Sequence, residues 1–310
     1  MTDAHASAAN PLTGDDFDRL YEASIKPELQ RREVERQDAM RKFFAVLAIG
    51  ALVVVIESGF TLAYTHGATR IPDLRIVFGT MAVAAVLAYL PLAAVGRKVK
   101  LDVITAFCGP LGLRYDPGGG ISRFDVFHEL RLIEKPEDST FEDHFEGVRS
   151  SCAFDLCEAR LTRGSGKERR TVFSGQLFRV AFPRKFLGVT VVLRDSGWLN
   201  RFECPPHLQK VGLEDPHFEK IFEVFGSDQV EARAILTPSF MQQLVDLEAA
   251  YAGHHIRCAF TDGDLMIAIE SPDRFEIGGM FSTLVDRRRV ETIAHDIGAV
   301  FRLIDSVVPA

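Results

Sequence analysis

Two apolar runs dominate the first third of the chain. FFAVLAIGALVVVIESGFTLAY occupies residues 43–64 and LRIVFGTMAVAAVLAYLPLAAV residues 74–95. As helices rising 1.5 Å per residue, each would span about 33 Å, enough to cross the ~30 Å hydrocarbon core of a bilayer. The competing reading is a helical hairpin buried in a large soluble core. Soluble helices of this length keep a polar stripe, and neither run has one. The intervening THGATRIPD, with Gly67 and Pro72, suits a tight connection between two antiparallel spans. Residues 1–42 are mostly polar, and no small-residue cleavage site leads into an exported domain, so the pattern is not that of a signal peptide.

On either side of the hairpin the pattern changes. Residues 1–12 show no periodicity and read as disordered. From Asp15, helical spacing puts Phe17, Leu20 and Tyr21 on one face. Pro27 is expected to interrupt that helix, and PELQRREVERQDAMRK to form a charged helix entering the membrane as a solvated stalk. The other reading of that stalk, arginine contact with anionic headgroups, is weakened by the interleaved Glu28, Glu33, Glu35 and Asp38.

Residues 97–310 are enough for a core of their own. CAFDLCEARLTR (152–163), RTVFSGQLFRVAF (170–182) and LGVTVVLRD (187–195) predict strands, with Gly164-Ser165-Gly166 closing a hairpin between the first two. Thr261-Asp262-Gly263-Asp264, between HIRCAF and LMIAI, predicts another hairpin. Thr237-Pro238 predicts the N-cap and first position of a helix over PSFMQQLVDLEAAYAG. In the last stretch Val290, Ile293, Ile297, Val300, Phe301 and Ile304 share a helical face that should pack on the sheet. Strands first and helices mixed in later imply an α+β fold: an N-terminal two-helix transmembrane hairpin followed by a mixed, mainly antiparallel sheet domain with packed helices. The expected organisation is a cytoplasmic segment (1–42), the hairpin (43–96) and a cytoplasmic domain (97–310).

VFSGQLFRV, KFLGVTVV and LEDPHFEKIFEVFGSDQVEARAILTPSFMQQL resemble domain-of-unknown-function family 3137, a group of uncharacterised bacterial membrane proteins. The resemblance covers roughly residues 40–305 and is most specific in SDQVEARAILTP. It extends to the layout of an apolar hairpin followed by a Phe-rich domain. It implies an architecture and carries no activity.

Composition and charge narrow the classes. A formal charge of -7 over 310 residues is a mild acidic excess, without the basic face of a nucleic-acid binder. The five cysteines are odd in number and scattered, unlike a secreted disulfide framework; reduced thiols in a cytosolic compartment fit better. Arg31, Arg32, Arg36, Arg41 and Lys42 precede the first run, and Arg97, Lys98 and Lys100 follow the second. The connection holds only Arg70, with Arg75 just inside the second run. The positive-inside rule then puts both termini in the cytoplasm, and with the resemblance it gives a multi-pass protein of the bacterial inner membrane.

Glu57 is the one acid inside the first run. It lies about 10 Å from the end at Tyr64, nearer the boundary than the midplane. It can protonate, or reach outward while Arg75 reaches inward. Functional readings are self-association through Glu57, Ser58 and Gly59, or ion conduction. In the domain, Asp228, Glu231 and Arg233 could serve acid–base chemistry, against a plain capping box in which Glu231 reaches back to the cap. His144 could carry a proton, against a surface hairpin residue. TRGSGKERR lacks the spacing of a phosphate loop, with Leu161 and Glu168 at the deciding positions; its Arg163, Lys167, Arg169 and Arg170 read as a solvated basic tip or a membrane or partner contact. Cys204 and His207, with His217, fall short of a zinc set, and the pairs Cys152/Cys157 and His254/His255 should each split between the two faces of a strand. No cofactor and no metal are expected. The partners expected are the lipid bilayer and a protein partner or a second copy, with no nucleic acid. The leading expectation is a membrane-anchored cytoplasmic module that binds a partner or ligand. The alternatives are a membrane-tethered enzyme such as a hydrolase, and an oligomeric channel or transporter component.

Overall fold

The structure, a computed structural model, describes residues 12, 14–64, 74–195, 205, 207–251, 255–272, 275, 281 and 283–307. Its first elements are helix α1 (Gly14–Leu20), a π-helical turn (Tyr21–Ile25), α2 (Lys26–Tyr64) and α3 (Leu74–Cys108). Pro27 does not interrupt the path, contrary to expectation. Having no N–H, it leaves the Ala23 carbonyl without an α-helical donor, and the preceding turn widens so that the Lys26 N–H bonds to Tyr21 O. The chain divides into two units, one formed by the described parts of 19–107 and 276–290, the other by those of 1–18, 108–275 and 291–310.

The first unit holds the hairpin. Helices α2 and α3 have 39 and 35 residues, about 58 and 52 Å, so both outrun the apolar stretches. They are long and apolar enough to cross a membrane. Their apolar side chains point outward: Val55 is 65% exposed, Phe78 68% and Leu90 61%. That is the reverse of a soluble core helix. Gly50 lets the two backbones approach, because a Cβ there would lie 2.5 Å from Ala84 Cβ. The charged segment before the first apolar run is not a bare stalk. Leu29 and Arg32 are buried, and Arg32 binds Glu28 (2.8 Å), Glu35 (2.6 Å) and, from α3, Asp102 (2.6 Å). Residues 1–11 and the connection 65–73, with Arg70, lie outside the described residues.

Among the described residues, the second unit is built on nine strands: β1 (Arg114–Asp116), β2 (Asp138–Arg149), β3 (Cys152–Arg163), β4 (Arg170–Ala181), β5 (Thr190–Arg194), β6 (Gln209–Val211), β7 (Phe222–Gly226), β8 (Ile256–Thr261) and β9 (Asp264–Glu270). They form one sheet in the order β1-β2-β3-β4-β9-β8-β5-β7-β6. Every pairing is antiparallel, in keeping with the mainly antiparallel sheet expected. Its α-helices among the described residues are α4 (Phe124–Glu129), α5 (Gln229–Ile235), α6 (Pro238–Ala250) and, from residue 291 on, α7 (Arg287–Val307).

Both anticipated hairpins are present. Asp262 and Gly263 take φ of 52° and 95°, as a two-residue hairpin turn requires. Gly164 (φ 85°) turns the β3–β4 hairpin where a Cβ would meet Glu168 O at 2.5 Å. Thr237 caps α6, its Oγ1 accepting from the Phe240 N–H. On one sheet face Cys157, Leu161, Leu177 and Met266 pack with Phe127 and Leu132. On the other, Phe154 meets Phe301 of α7 at 5.6 Å and Phe260 meets Phe240 of α6 at 5.4 Å. All six residues named for the last helix face are buried.

Candidate functional site

Strands alternate their side chains between faces. On the face that carries Cys157 and Leu177, several strand positions hold charges where an apolar residue would be ordinary. They form a line across the sheet. Arg114 on β1 pairs with Glu146 on β2. Glu146 lies 3.8 Å from His144 Nδ1, and His144 Nε2 lies 3.9 Å from Asp155 on β3. Asp155 is 3.5 Å from Arg179 on β4, which binds Asp264 at the start of β9 at 2.9 Å. Arg123, the N-cap of α4, also pairs with Asp264 and reaches Asp262 at 3.3 Å. Arginines and carboxylates alternate along the line, and His144 stands between two carboxylates. The observed burial of His144 corrects the surface hairpin reading: it is 6% exposed, inside β2.

The loop between β1 and α4 closes over this line. The Ser122 N–H donates to Asp155 at 2.8 Å. Gly119 sits so close that a Cβ would lie 2.6 Å from His144 Nδ1. Arg123 holds φ of 55°, a conformation that costs a non-glycine residue about 1 kcal/mol or more, and its two ion pairs hold it there. Burial raises the Asp155 pKa, but the neighbouring His144, Ser122 and Arg179 outweigh it and hold the carboxyl below its usual range. Three buried atoms of the line make no hydrogen bond to any described residue: His144 Nε2, Asp155 Oδ1 and Arg179 Nε. Native interiors seldom leave such groups unmatched.

A cavity of about 500 Å³ opens on the line. Arg114, Ser122, Glu146, Asp155 and Arg179 form its polar side; Leu111, Val148 and Ala153 form its apolar side. A smaller cavity of about 210 Å³, lined by Tyr115, Asp116 and His144, adjoins it through Arg114 and Glu146. The arrangement offers fixed donors and acceptors beside an apolar wall, the usual make-up of a small-molecule site.

The candidates read from sequence do not gather here, His144 apart. Asp228 caps α5, accepting from Val230 N (2.8 Å) and Glu231 N (3.0 Å). Glu231 does not reach back to that cap; its two oxygens accept from Leu187 N (2.7 Å) and Gly188 N (2.6 Å). Arg233 donates to Gly212 O and Gln229 O. Six strand spacings, about 29 Å, separate His144 on β2 from β7 and the cap that follows it. Glu57 is half-buried and accepts from Thr80 Oγ1 at 3.3 Å; Arg75 is exposed. At the basic tip, Arg163 and Arg170 pair with Glu134, and Arg169 with Asp138, so most of its charge is matched. Cys108, Cys152, Cys157 and Cys258 are free and buried, and burial pushes each thiol pKa up, Cys108 to about 12. Cys204 and His254 lie outside the described residues, and among those described no group of three or more His, Cys, Asp or Glu is placed to hold a metal.

Asp155, Arg179, Asp264 and Arg123 escaped the sequence reading. The signal was there for two of them: an acid in CAFDLCEARL and an arginine in LFRVAF, each at a strand position whose neighbours two residues on are apolar.

Residues 171–308 match the family described as Protein of unknown function (DUF3137), the family that the sequence resembles. The match includes Arg179 and Asp264, and begins after His144 and Asp155. None of the curated proteins matches the chain. Among solved structures, the crystal structure of the mycobacterial trehalose monomycolate transport factor A, TtfA, aligns over 66% of this chain and 94% of its own at 10% identity and a TM-score of 0.37.

Proposed function

We propose that this chain, with its DUF3137 segment, is a membrane-anchored binding module. Helices α2 and α3 anchor it in the bacterial inner membrane with both termini in the cytoplasm, and the sheet unit takes a ligand at the charge line. The observation that carries the binding role is the set of unmatched buried donors and acceptors beside a cavity of about 500 Å³. The outward apolar faces of α2 and α3 and the basic residues flanking both runs support the anchor. The ligand needs at least one hydrogen-bond donor for Asp155, one acceptor for Arg179, and an apolar part for Leu111 and Val148. The enzyme alternative rests on His144 between Glu146 and Asp155, because Asp228, Glu231 and Arg233 are engaged with backbone groups.

Native mass spectrometry of the full chain, extracted gently from membranes, tests the reading. The wild type should carry a reproducible small adduct that Ala153→Trp, which fills the cavity from its wall, abolishes. An adduct-free wild type, or one whose adduct survives Ala153→Trp, overturns the binding role. Release of the chain by alkaline carbonate overturns the anchor.

A further inference from the structure

The opposite face of the sheet carries a second polar site, three residues along β3 from Asp155 and independent of the charge line. Glu142 on β2 lies directly across from Glu158 on β3, and Thr140 across from Arg160. With Ser174 of β4 and Ser271 just past β9, these residues line a cavity of about 220 Å³. Taking about 30 Å³ per water-sized atom, it has room for roughly seven.

Three observations mark it as built. Glu158 is buried, and Gln176 Nε2 donates to it at 3.4 Å while the Tyr251 hydroxyl donates to Gln176 from below. That relay fixes the carboxylate in place. Ser271 is only 7% exposed, and its hydroxyl makes no hydrogen bond to any described residue. Glu142 and Arg160 are diagonal neighbours of opposite sign on the same face, yet neither makes an ion pair with the other or with any other described residue. Opposite charges that share a cavity and stay apart leave a place for a group that bridges them.

We propose that this cavity binds a small zwitterion, its ammonium between Glu142 and Glu158 and its anionic oxygens on Arg160, with the serine hydroxyls completing the contacts. A lone cation would leave Arg160 unmatched, and a lone anion would face two carboxylates. The chemistry is shared by a free amino acid and by a phosphoethanolamine headgroup.

Isothermal titration of the detergent-solubilised full chain with L-serine and with O-phosphoethanolamine tests it. At least one should bind saturably, with ethanolamine and inorganic phosphate about tenfold weaker because each carries half of the pattern. Glu142→Gln and Arg160→Gln, both at exposed positions that leave the core untouched, should each weaken binding about tenfold. Glu158→Gln and Ser271→Ala should weaken it as well, provided their unfolding midpoints match the wild type. Binding of L-serine alone assigns a free amino acid. Binding of O-phosphoethanolamine that is competed by phosphatidylethanolamine nanodiscs assigns a headgroup. No saturable heat from either zwitterion, equal binding of the single-charge ions, or binding unchanged by both Glu142→Gln and Arg160→Gln overturns the proposal.

Discussion

Replacing Arg179 with methionine removes the cation at the middle of the charge line while keeping most of its volume. Arg179 lies 2.9 Å from Asp264 and 3.5 Å from Asp155, whose side chains are only 5% and 6% exposed. Taking one partner from a buried ion pair costs about 3–5 kcal/mol, because the other is left charged and dry. Here both carboxylates keep some support: Asp264 retains Arg123, and Asp155 retains the Ser122 N–H. The loss should therefore sit near the lower end, about 3 kcal/mol. For a unit of this size that lowers the thermal midpoint by about 6–12 °C. Circular dichroism of the full chain in mild detergent reads it directly. Adding Asp155→Asn should recover about 1 kcal/mol or more, since the stranded charge is removed with its partner. The pH dependence has a definite sign. A carboxyl held below its usual range contributes stability above its unfolded pKa and loses it as pH falls through its folded value, so the Arg179→Met deficit should persist from neutral pH to about pH 4 and shrink below it. A midpoint within about 2 °C of wild type, or additive effects in the Asp155→Asn pair, would refute the view of this line as a coupled, buried network.

The hairpin unit should show an acid transition of its own: Arg36, opposed by burial and aided by the Leu284 N–H and Gln37, holds Glu33 at about 2, so the stability it contributes is present above about pH 4.5 and lost as pH falls towards 2. The protection factor of the Leu284 amide, whose N–H donates to Glu33 at 2.9 Å, should fall over that range, and in Glu33→Gln its pH dependence should vanish; an unchanged protection factor in wild type would count against it. Asp228→Ala should cost about 1 kcal/mol as a lost N-cap and leave the adduct at the charge line in place, because the two sites lie about 29 Å apart; loss of the adduct at full stability would return Asp228 to the functional candidates.

Local pattern alone determined much of this protein. The two apolar runs become the two long helices, and the Asp262-Gly263 turn, the Thr237 cap and the buried face of α7 all stand where the spacing puts them. Each of these depends on residues a few positions apart, so one window of sequence contains the cause. Strand β2 was not legible, because DSTFEDHFEGVR is rich in charge and a bulge after Glu142, with Asp143 at φ 52°, breaks its alternation. The same bulge turns His144 onto the face of Asp155. The tertiary structure alone decided the site. Arg123 meets Asp264 across 141 residues of chain, and Ser122 meets Asp155 across 33. A charge in a strand shows in the sequence only as an exception to the apolar rule. Whether it is solvated, paired or left facing a cavity depends on which strands lie beside it, and that order is fixed by the packing of the whole sheet.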